Sequence, residues 1–341
     1  MKIKRQDLID ILAGLKPALA KTEIINQATH FIFTGEQILT YNDRICIRHP
    51  FTSDFRGSVP SDEFYKVLNQ MSGDEINLEV EDGMLLFSSG ELKGALSISS
   101  DGDIISLVEL LDVPSFESKG WKSLPDNFKE AITFCMFSAS KVLSLDVLSA
   151  LFVDTDRVIS SDNMRISIYF LNGSLECGFL LPVSAVEELV KLAKITDFIL
   201  GDSWIHFRLV DKVIFSCRLF LGQDYHMVDD IFDFETCEVT LPNGLKSSIE
   251  ATSVLASGNE TEKIIDVLID KGRVKCKGQK EIGWVESDQK IDYNGPEVRF
   301  GIHPHLLLQI LNQTSVMEYG EGKAIFKSDS FEHLICLIPS L

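Results

Sequence analysis

Residues 121–181 read WKSLPDNFKEAITFCMFSASKVLSLDVLSALFVDTDRVISSDNMRISIYFLNGSLECGFLL. The stretch begins as a short strand, Trp121–Leu124. Pro125 and Asp126 then open a helix predicted over Asp126–Lys141, with proline and an acidic residue where a helix start favours them. Strands are expected at Ala150–Asp154, Arg157–Ser160 and Met164–Phe170. Asn172-Gly173 predicts a tight hairpin between Ile166–Leu171 and Leu175–Leu181.

Outward from this stretch, the same strand–helix–strands unit recurs about six times. Its helices are expected at Asp7–Lys21, Ser61–Met71, Asp126–Lys141, Val183–Lys194, Asn243–Ala256 and His303–Gln313. Ser61 suits an N-cap, and Asp82-Gly83 suits a hairpin turn. Repetition of this kind decides the architecture before any local feature does. Polar, Gly- and Pro-bearing stretches at Asp101–Gly120 and Gly222–Phe234 read as linkers, with Ile104–Leu111 open to a helical turn. The expected fold is α+β: three repeated domains at 1–114, 115–234 and 235–341, each made of two strand–helix–strands units.

The bulk composition excludes several classes. The 341 residues are 45% apolar and 24% charged, enough for sizeable cores. No apolar run approaches bilayer length. Asp7 and Asp10 interrupt the apolar part of the N-terminal stretch, which therefore reads as an amphipathic helix rather than a signal peptide, and a cytoplasmic protein is expected. Seven cysteines stand without CxxC spacing, so they read as free thiols, mostly buried, with no zinc or redox motif.

The net charge is −19, which by itself disfavours a chain that coats nucleic acid. The distribution matters more. Lys16, Lys21, Lys66, Lys129, Lys141, Lys191, Lys194 and Lys246 lie in the helix segments, against nine acidic residues there. The helices together carry about −1, so a surface they share is far less acidic than the remainder. Lys16, Lys21, Lys141, Lys191 and Lys194 follow helix ends and have a plain alternative role at a helix C-terminal dipole.

No catalytic constellation emerges. Ser138-Ala-Ser-Lys141 matches S-x-x-K and Ser161-Asp162-Asn163 matches S-D-N, but K-T-G is absent and only one or two strands separate the two matches. His303 and His305 flank Pro304 as helix-start residues rather than as a metal pair. There is no P-loop and no G-x-G-x-x-G after a strand. No enzyme, metal or cofactor is expected.

The order of these segments resembles a bacterial-type DNA sliding clamp, the β subunit of DNA polymerase III. The resemblance spans essentially the whole chain. It is carried by Leu124-Pro125-Asp126, by Ser161-Asp162-Asn163-Met164-Arg165-Ile166 in place of T-D-G-H-R-L, and by Leu181-Pro182-Val183. It continues in Gly222-Gln223-Asp224-Tyr225, similar to G-x-F-P-D-Y, and in Leu334–Leu341, similar to Y-V-V-M-P-M-R-L.

The resemblance implies a head-to-tail homodimeric ring, with helices lining the hole and sheets outside. Such a ring would encircle duplex DNA without reading sequence and raise polymerase processivity in DNA replication. The eight lysines would face the DNA. It further implies a peptide-binding groove between the second and third domains for the replicative DNA polymerase, the clamp loader and repair proteins. The matching positions are Leu148, Ser161, Asn163, Met164, Arg165, Ile166, Val239, Cys336, Ile338 and Pro339, of which Leu148, Ile166 and Cys336 also read as plain core. Asn163 and Met164 stand where the family has glycine and histidine, and the C-terminal arginine is missing. Divergence this broad fits a phage, plasmid or otherwise specialised clamp. The alternative is a clamp-fold scaffold that does not encircle DNA.

Overall fold

A computed structural model describes residues 1–22, 24–99, 103–109, 111, 113–141, 147–222, 225, 229–259 and 262–340. Within them one phrase occurs six times: a leading strand, a helix, then three antiparallel strands. β1 (Lys2–Lys4) leads α1 (Arg5–Leu15), followed by β2 (His30–Phe33), β3 (Gln37–Tyr41) and β4 (Ile45–Pro50). β5 (Gly57–Pro60) leads α2 (Ser61–Gln70), then β6 (Glu75–Glu81), β7 (Met84–Ser89) and β8 (Leu92–Ser97). A short helix, α3 (Asp103–Glu109), intervenes. β9 (Lys122–Ser123) leads α4 (Phe128–Met136), then β10 (Ala150–Val153), β11 (Arg157–Ser161) and β12 (Arg165–Phe170). β13 (Phe179–Pro182) leads α5 (Val183–Leu189), then β14 (Ile195–Leu200), β15 (Trp204–Leu209) and β16 (Ile214–Arg218). β17 (Cys237–Thr240) leads α6 (Leu245–Ser253), then β18 (Ile265–Asp270), β19 (Arg273–Lys280) and β20 (Gly283–Lys290). β21 (Val298–Ile302) leads α7 (Pro304–Ile310), then β22 (Val316–Gly320), β23 (Lys323–Lys327) and β24 (Phe331–Cys336).

Each leading strand pairs with the triplet that follows the other helix of its pair, so every domain-sized repeat is interlocked. Six four-stranded half-sheets result. Four of them join edge to edge through β4–β16 and β12–β24, giving two eight-stranded sheets ordered β5-β2-β3-β4-β16-β15-β14-β9 and β13-β10-β11-β12-β24-β23-β22-β17. The other two, β1-β6-β7-β8 and β20-β19-β18-β21, stay four-stranded. The chain clusters into two compact units, Met1–Lys129 with Leu180–Gly222 and Glu130–Phe179 with Gln223–Leu341; β13 contains one point of division.

The helices are short, and packing rather than length stabilises them. Leu8, Leu12 and Leu15 of α1 recur at helical spacing and are fully buried, as are Phe64 and Leu68 of α2. Each such side chain contributes about 1.5–3 kcal/mol by leaving water.

The first and second repeats keep a constant spacing of 120 residues over residues 2–50 and 122–170. Gln37 opens β3 and Arg157 opens β11; Ile45 opens β4 and Arg165 opens β12. The hydrogen bonds repeat with them. Thr40 Oγ1 donates to the Leu15 carbonyl at 2.7 Å, and Ser160 Oγ to the Cys135 carbonyl at 2.5 Å. The Asn42 side-chain oxygen accepts from the amides of Arg44 and Ile45, and that of Asp162 from Met164 and Arg165. The next residue in each turn, Asp43 or Asn163, has φ near +70° (73° and 70°), which Asp and Asn tolerate best among non-glycines.

Several local expectations are corrected. Every helix but α2 is shorter at its C-terminal end than the amphipathic pattern suggests; in α1 the stop coincides with a 3₁₀ turn over Lys16–Ala18 that contains Pro17. Ser61 is the first helical residue, with Pro60 at the cap and no side-chain cap bond. Asn172-Gly173 does not close a hairpin. The free edge of β12 is taken by β24, so the chain runs instead past the β10–β11 turn, where the Leu171 and Leu175 amides bond to Asp156 and Thr155. It returns as β13 on the far side of β10.

Candidate interaction groove

The two faces of β11, β12 and β24 carry different chemistry because successive residues of a strand point to opposite sides. One face receives α4. There Ser138 and Ser167 hydroxyls lie 2.6 Å apart, and Ser167 Oγ lies 2.9 Å from His333 Nδ1. All three residues are fully buried. Burial first, and the Arg165 charge second, push the His333 imidazole down to about 3, so it stays neutral. Ser138 of the S-x-x-K match is therefore sealed inside a hydrogen-bonded core.

The opposite face presents Ile159, Ile166 and Ile168, against which Phe152, Tyr225 and Phe232 pack. The Phe152 and Tyr225 rings stack with centroids 5.5 Å apart. Farther along, Lys323 Nζ sits 4.5 Å over the Phe234 ring, and Thr236 Oγ1 donates to Glu318. Tyr225 and Phe232 thus lie over this face and cover an apolar strip. The Tyr225 hydroxyl is buried with no hydrogen-bond partner among the described residues, and burial raises its pKa. An unpaired hydroxyl in an apolar site suits a ligand polar group.

Of the anticipated groove residues, Ser161, Asn163, Met164, Ile166 and Cys336 meet at one end of this strip. The Cys336 amide donates to the Met164 carbonyl at 2.8 Å, and Ser161 Oγ to the Arg165 carbonyl at 2.9 Å. Ile338 bridges to Gly301 of β21, and Pro339 follows it, exposed. Leu148 is half-buried in a 3₁₀ turn, its carbonyl bonded to the Ser140 amide. Arg165 turns to the other face: it is 6% exposed, pairs with Asp162 at 3.1 Å, donates to Gln309 of α7 and lies 5.3 Å from the Phe137 ring. Val239 is buried in β17, opposite Met317, with three strands between it and β12. Phe152, Ile159, Ile168, Tyr225 and Phe232 were not anticipated. The alternation of isoleucine with serine in β11 and β12 marks the two isoleucines, whereas Phe232 ends a 3₁₀ turn, Asp229–Phe232, too short to show a period. Gln223, Asp224 and Leu341 lie outside the described residues.

The first repeat shows what a filled version looks like. At the β4–β16 join the corresponding face holds Ile32, Leu39, Tyr41 and Cys46, closed over by Ile104, Val108 and Trp204. Tyr41 and Trp204 lie 6.1 Å apart, centroid to centroid. The 120-residue spacing puts Ser161 where Tyr41 stands. The register puts Lys323, paired with Cys336, where Trp204 pairs with Arg218. Two large aromatic rings are thus replaced by a small hydroxyl and a flexible amine at the second join.

The helix-segment lysines are mostly engaged. Lys16 Nζ is 3.2 Å from the Tyr65 ring centroid, and desolvation lowers its pKa. Lys66 pairs with Asp62, Lys191 with Glu188 and Lys194 with Asp126. Lys129 Nζ donates to the Leu192 carbonyl at 2.7 Å, and Lys246 Nζ to Asn312 at 2.8 Å. Arg5 does the same in the first repeat, donating to the Leu68 and Gly73 carbonyls. In all three repeats, then, a cation at the start of the first helix binds the end of the second, where the helix dipole favours it. Lys21 and Lys141 are exposed. Among the described residues no helix is long and apolar enough to cross a membrane, and no cluster of His, Cys, Asp or Glu is arranged to hold a metal.

No family model matches the chain, and no curated protein sequence does. Solved structures do. The DNA polymerase sliding clamp of Bacillus subtilis matches with a TM-score of 0.83 at 15% identity, covering 100% of this chain and 99% of that one. The Helicobacter pylori β clamp bound to a DNA ligase peptide matches at 0.82 and 18%, with 99% of both chains covered. The Pseudomonas aeruginosa sliding clamp bound to griselimycin matches at 0.82 and 15%, covering 99% of this chain and 98% of that one. The chain has the fold of bacterial DNA polymerase III β sliding clamps.

Proposed function

We propose that this chain, built on the sliding-clamp fold, works as a non-enzymatic clamp: a head-to-tail homodimeric ring that encircles duplex DNA and tethers a replicative polymerase. The carrying observation is the count of half-sheets. Six share one plan, four are joined through their last strands, and two end in the open edges β8 and β20. An unpaired edge is a template for another strand. Pairing β8 of one copy with β20 of another repeats the β4–β16 and β12–β24 joins, and in two copies leaves no half-sheet with an unjoined last strand. Beside β20 stand Val254, Ile282 and Trp284, 64%, 85% and 62% exposed, as an apolar patch suited to burial in such a contact. In this reading the domains are 1–114, 115–234 and 235–341.

Helices of near-neutral charge facing the hole fit weak, sequence-blind contact with phosphates, and linkage through the hole supplies retention. The groove lined by Ile166, Ile168, Phe152, Tyr225 and Phe232 takes apolar anchors of short peptides from the polymerase, the clamp loader and repair proteins, with Ser161, Met164, Lys323 and Cys336 at its mouth. A few such anchors carry most of the affinity of a short motif. Leu148, Asn163, Ile338 and Pro339 form its surroundings.

Negative-stain imaging of the purified protein tests the ring. Closed rings with a hole wide enough for a duplex are expected; compact particles without a hole would replace this reading with a scaffold that does not encircle DNA. Ile166→Asp tests the groove, with loss of polymerase binding expected while the ring persists.

A further inference from the structure

The constant spacing between the first two repeats exposes a cavity with a template for its contents. In α4, Phe134 fills the crevice on the helix side of the β12–β24 join. Its ring lies 4.5 Å from that of Phe331 and 5.5 Å from that of Tyr169, whose hydroxyl donates to Glu130 at 3.3 Å. Counting back 120 residues, Gly14 stands for Phe134, His49 for Tyr169 and Asp10 for Glu130. The strand register puts Val213 in the place of Phe331, since Ile214 pairs with Arg48 as Glu332 pairs with Ile168. Where four bulky groups meet in the second repeat, the first has a cavity of about 210 Å³, lined by Asp10, Gly14, Ile47, His49, Asp211 and Val213 among others. A Cβ added at Gly14 meets nothing within 4 Å. Glycine inside a helix costs about 0.5–1 kcal/mol relative to alanine, so this position gives up stability to keep the space open.

The cavity's chemistry is one-sided. Its walls are largely apolar, and its two acidic side chains, Asp10 and Asp211, are hydrogen-bond acceptors. Asp10 and Asp211 are exposed at its mouth. His49 Nδ1 lies 2.8 Å from the Pro50 carbonyl, which can only accept, so Nδ1 donates there. A cavity of ~150 Å³ with apolar walls already admits benzene. We propose that this cavity is a binding site for a monocyclic aromatic amine, its ring seated where Phe134 sits in the second repeat and its ammonium held by Asp10 and Asp211. An aromatic carboxylate of the same size meets two like charges there.

The test is a titration of the full chain with benzylamine and, separately, benzoate, followed by ligand-observed saturation-transfer NMR. Benzylamine is expected to bind saturably and benzoate at least about tenfold more weakly, a difference of about 1.4 kcal/mol. Gly14→Phe, which copies the second repeat, should abolish benzylamine binding and raise Tm. Asp10→Asn combined with Asp211→Asn should weaken benzylamine by about tenfold and remove the preference over benzoate; this pair decides the question even where Gly14→Phe folds poorly. Equal affinity for the two probes, or binding unchanged by folded Gly14→Phe or by the paired Asn variants, overturns the proposal.

Discussion

Arg165 and Gln309 are hydrogen-bonded although 144 positions separate them, and the bond ties β12, on one side of the β12–β24 join, to α7, the helix that leads into β22–β24 on the other. Arg165 is almost completely buried, and its charge is balanced by Asp162 alone at salt-bridge distance among the described residues. Removing one partner of a buried charged contact costs more than the contact is worth, because the other is left unsatisfied. Arg165→Met should therefore lower stability by about 2–3 kcal/mol, and Gln309→Ala by less, since Asp162 still neutralises the guanidinium. Urea unfolding measures both; equal costs would place the stabilisation in Gln309.

Ser161→Tyr should close the groove from within. Tyr41 occupies the corresponding position in the first repeat and packs there near Trp204. A ring at position 161 covers the strip formed by Ile166 and Ile168. The expected outcome is at least about tenfold weaker binding of a clamp-binding peptide, or about 1.4 kcal/mol, with Tm nearly unchanged. Fluorescence anisotropy with a labelled peptide reads it. Unchanged affinity would move the peptide site away from this face.

His333 gives stability a pH dependence whose sign is fixed. Its folded-state pKa lies near 3, below an unfolded value of about 6.5. Between those values the unfolded chain binds the proton and the folded chain does not. Stability is therefore full above pH 6.5 and falls as the pH drops toward 3, by at most ~1.4 kcal/mol per pH unit from this group. His305, also shifted down by burial and then by Arg165 and His303, adds in the same direction. In His333→Phe the slope between pH 6.5 and 5, above the ordinary carboxylate range, should shrink. An identical slope in wild type and variant would assign the dependence elsewhere.

The lysines should separate into two groups. Lys129 and Lys246 cap neighbouring helix ends, so Lys129→Ala and Lys246→Ala should cost about 0.5–1.5 kcal/mol of stability and change DNA retention little. Lys21→Glu and Lys141→Glu should leave Tm unchanged and shorten residence on circular DNA, more so as salt is lowered. Residence times from single-molecule tracking check this. Equal effects from both groups would contradict the division.

Much of the architecture was legible because its signals are periodic. The six-fold phrase, Asp82-Gly83 and the alternation of isoleucine with serine in β11 and β12 all follow from local chemistry. Helix ends were not legible, because the amphipathic pattern runs on through Lys16–Ala18 after the hydrogen bonds have stopped. Asn172-Gly173 is a sound hairpin signal in isolation, but a strand 160 residues later occupies the edge it needed. At the groove, Arg165 and Ile166 are consecutive in one strand and so belong to opposite faces, which the sequence could have shown. Val239 lies four strands from β12, a separation that depends on sheet order and leaves no local trace. Tyr225 lies outside any regular element and Phe232 ends a single 3₁₀ turn, so neither has a period to reveal its side-chain direction.

The open edges of β8 and β20 also carry a hazard. A contact between unlike edges closes only if the turn it imposes per chain divides a full circle. The same contact with a slightly different turn winds into an endless filament. Ring and fibre then compete for one surface, and what separates them is the curvature accumulated along each chain rather than the strength of the bond between chains. A substitution that merely flattens a sheet, far from either edge, would convert a closed assembly into a polymer.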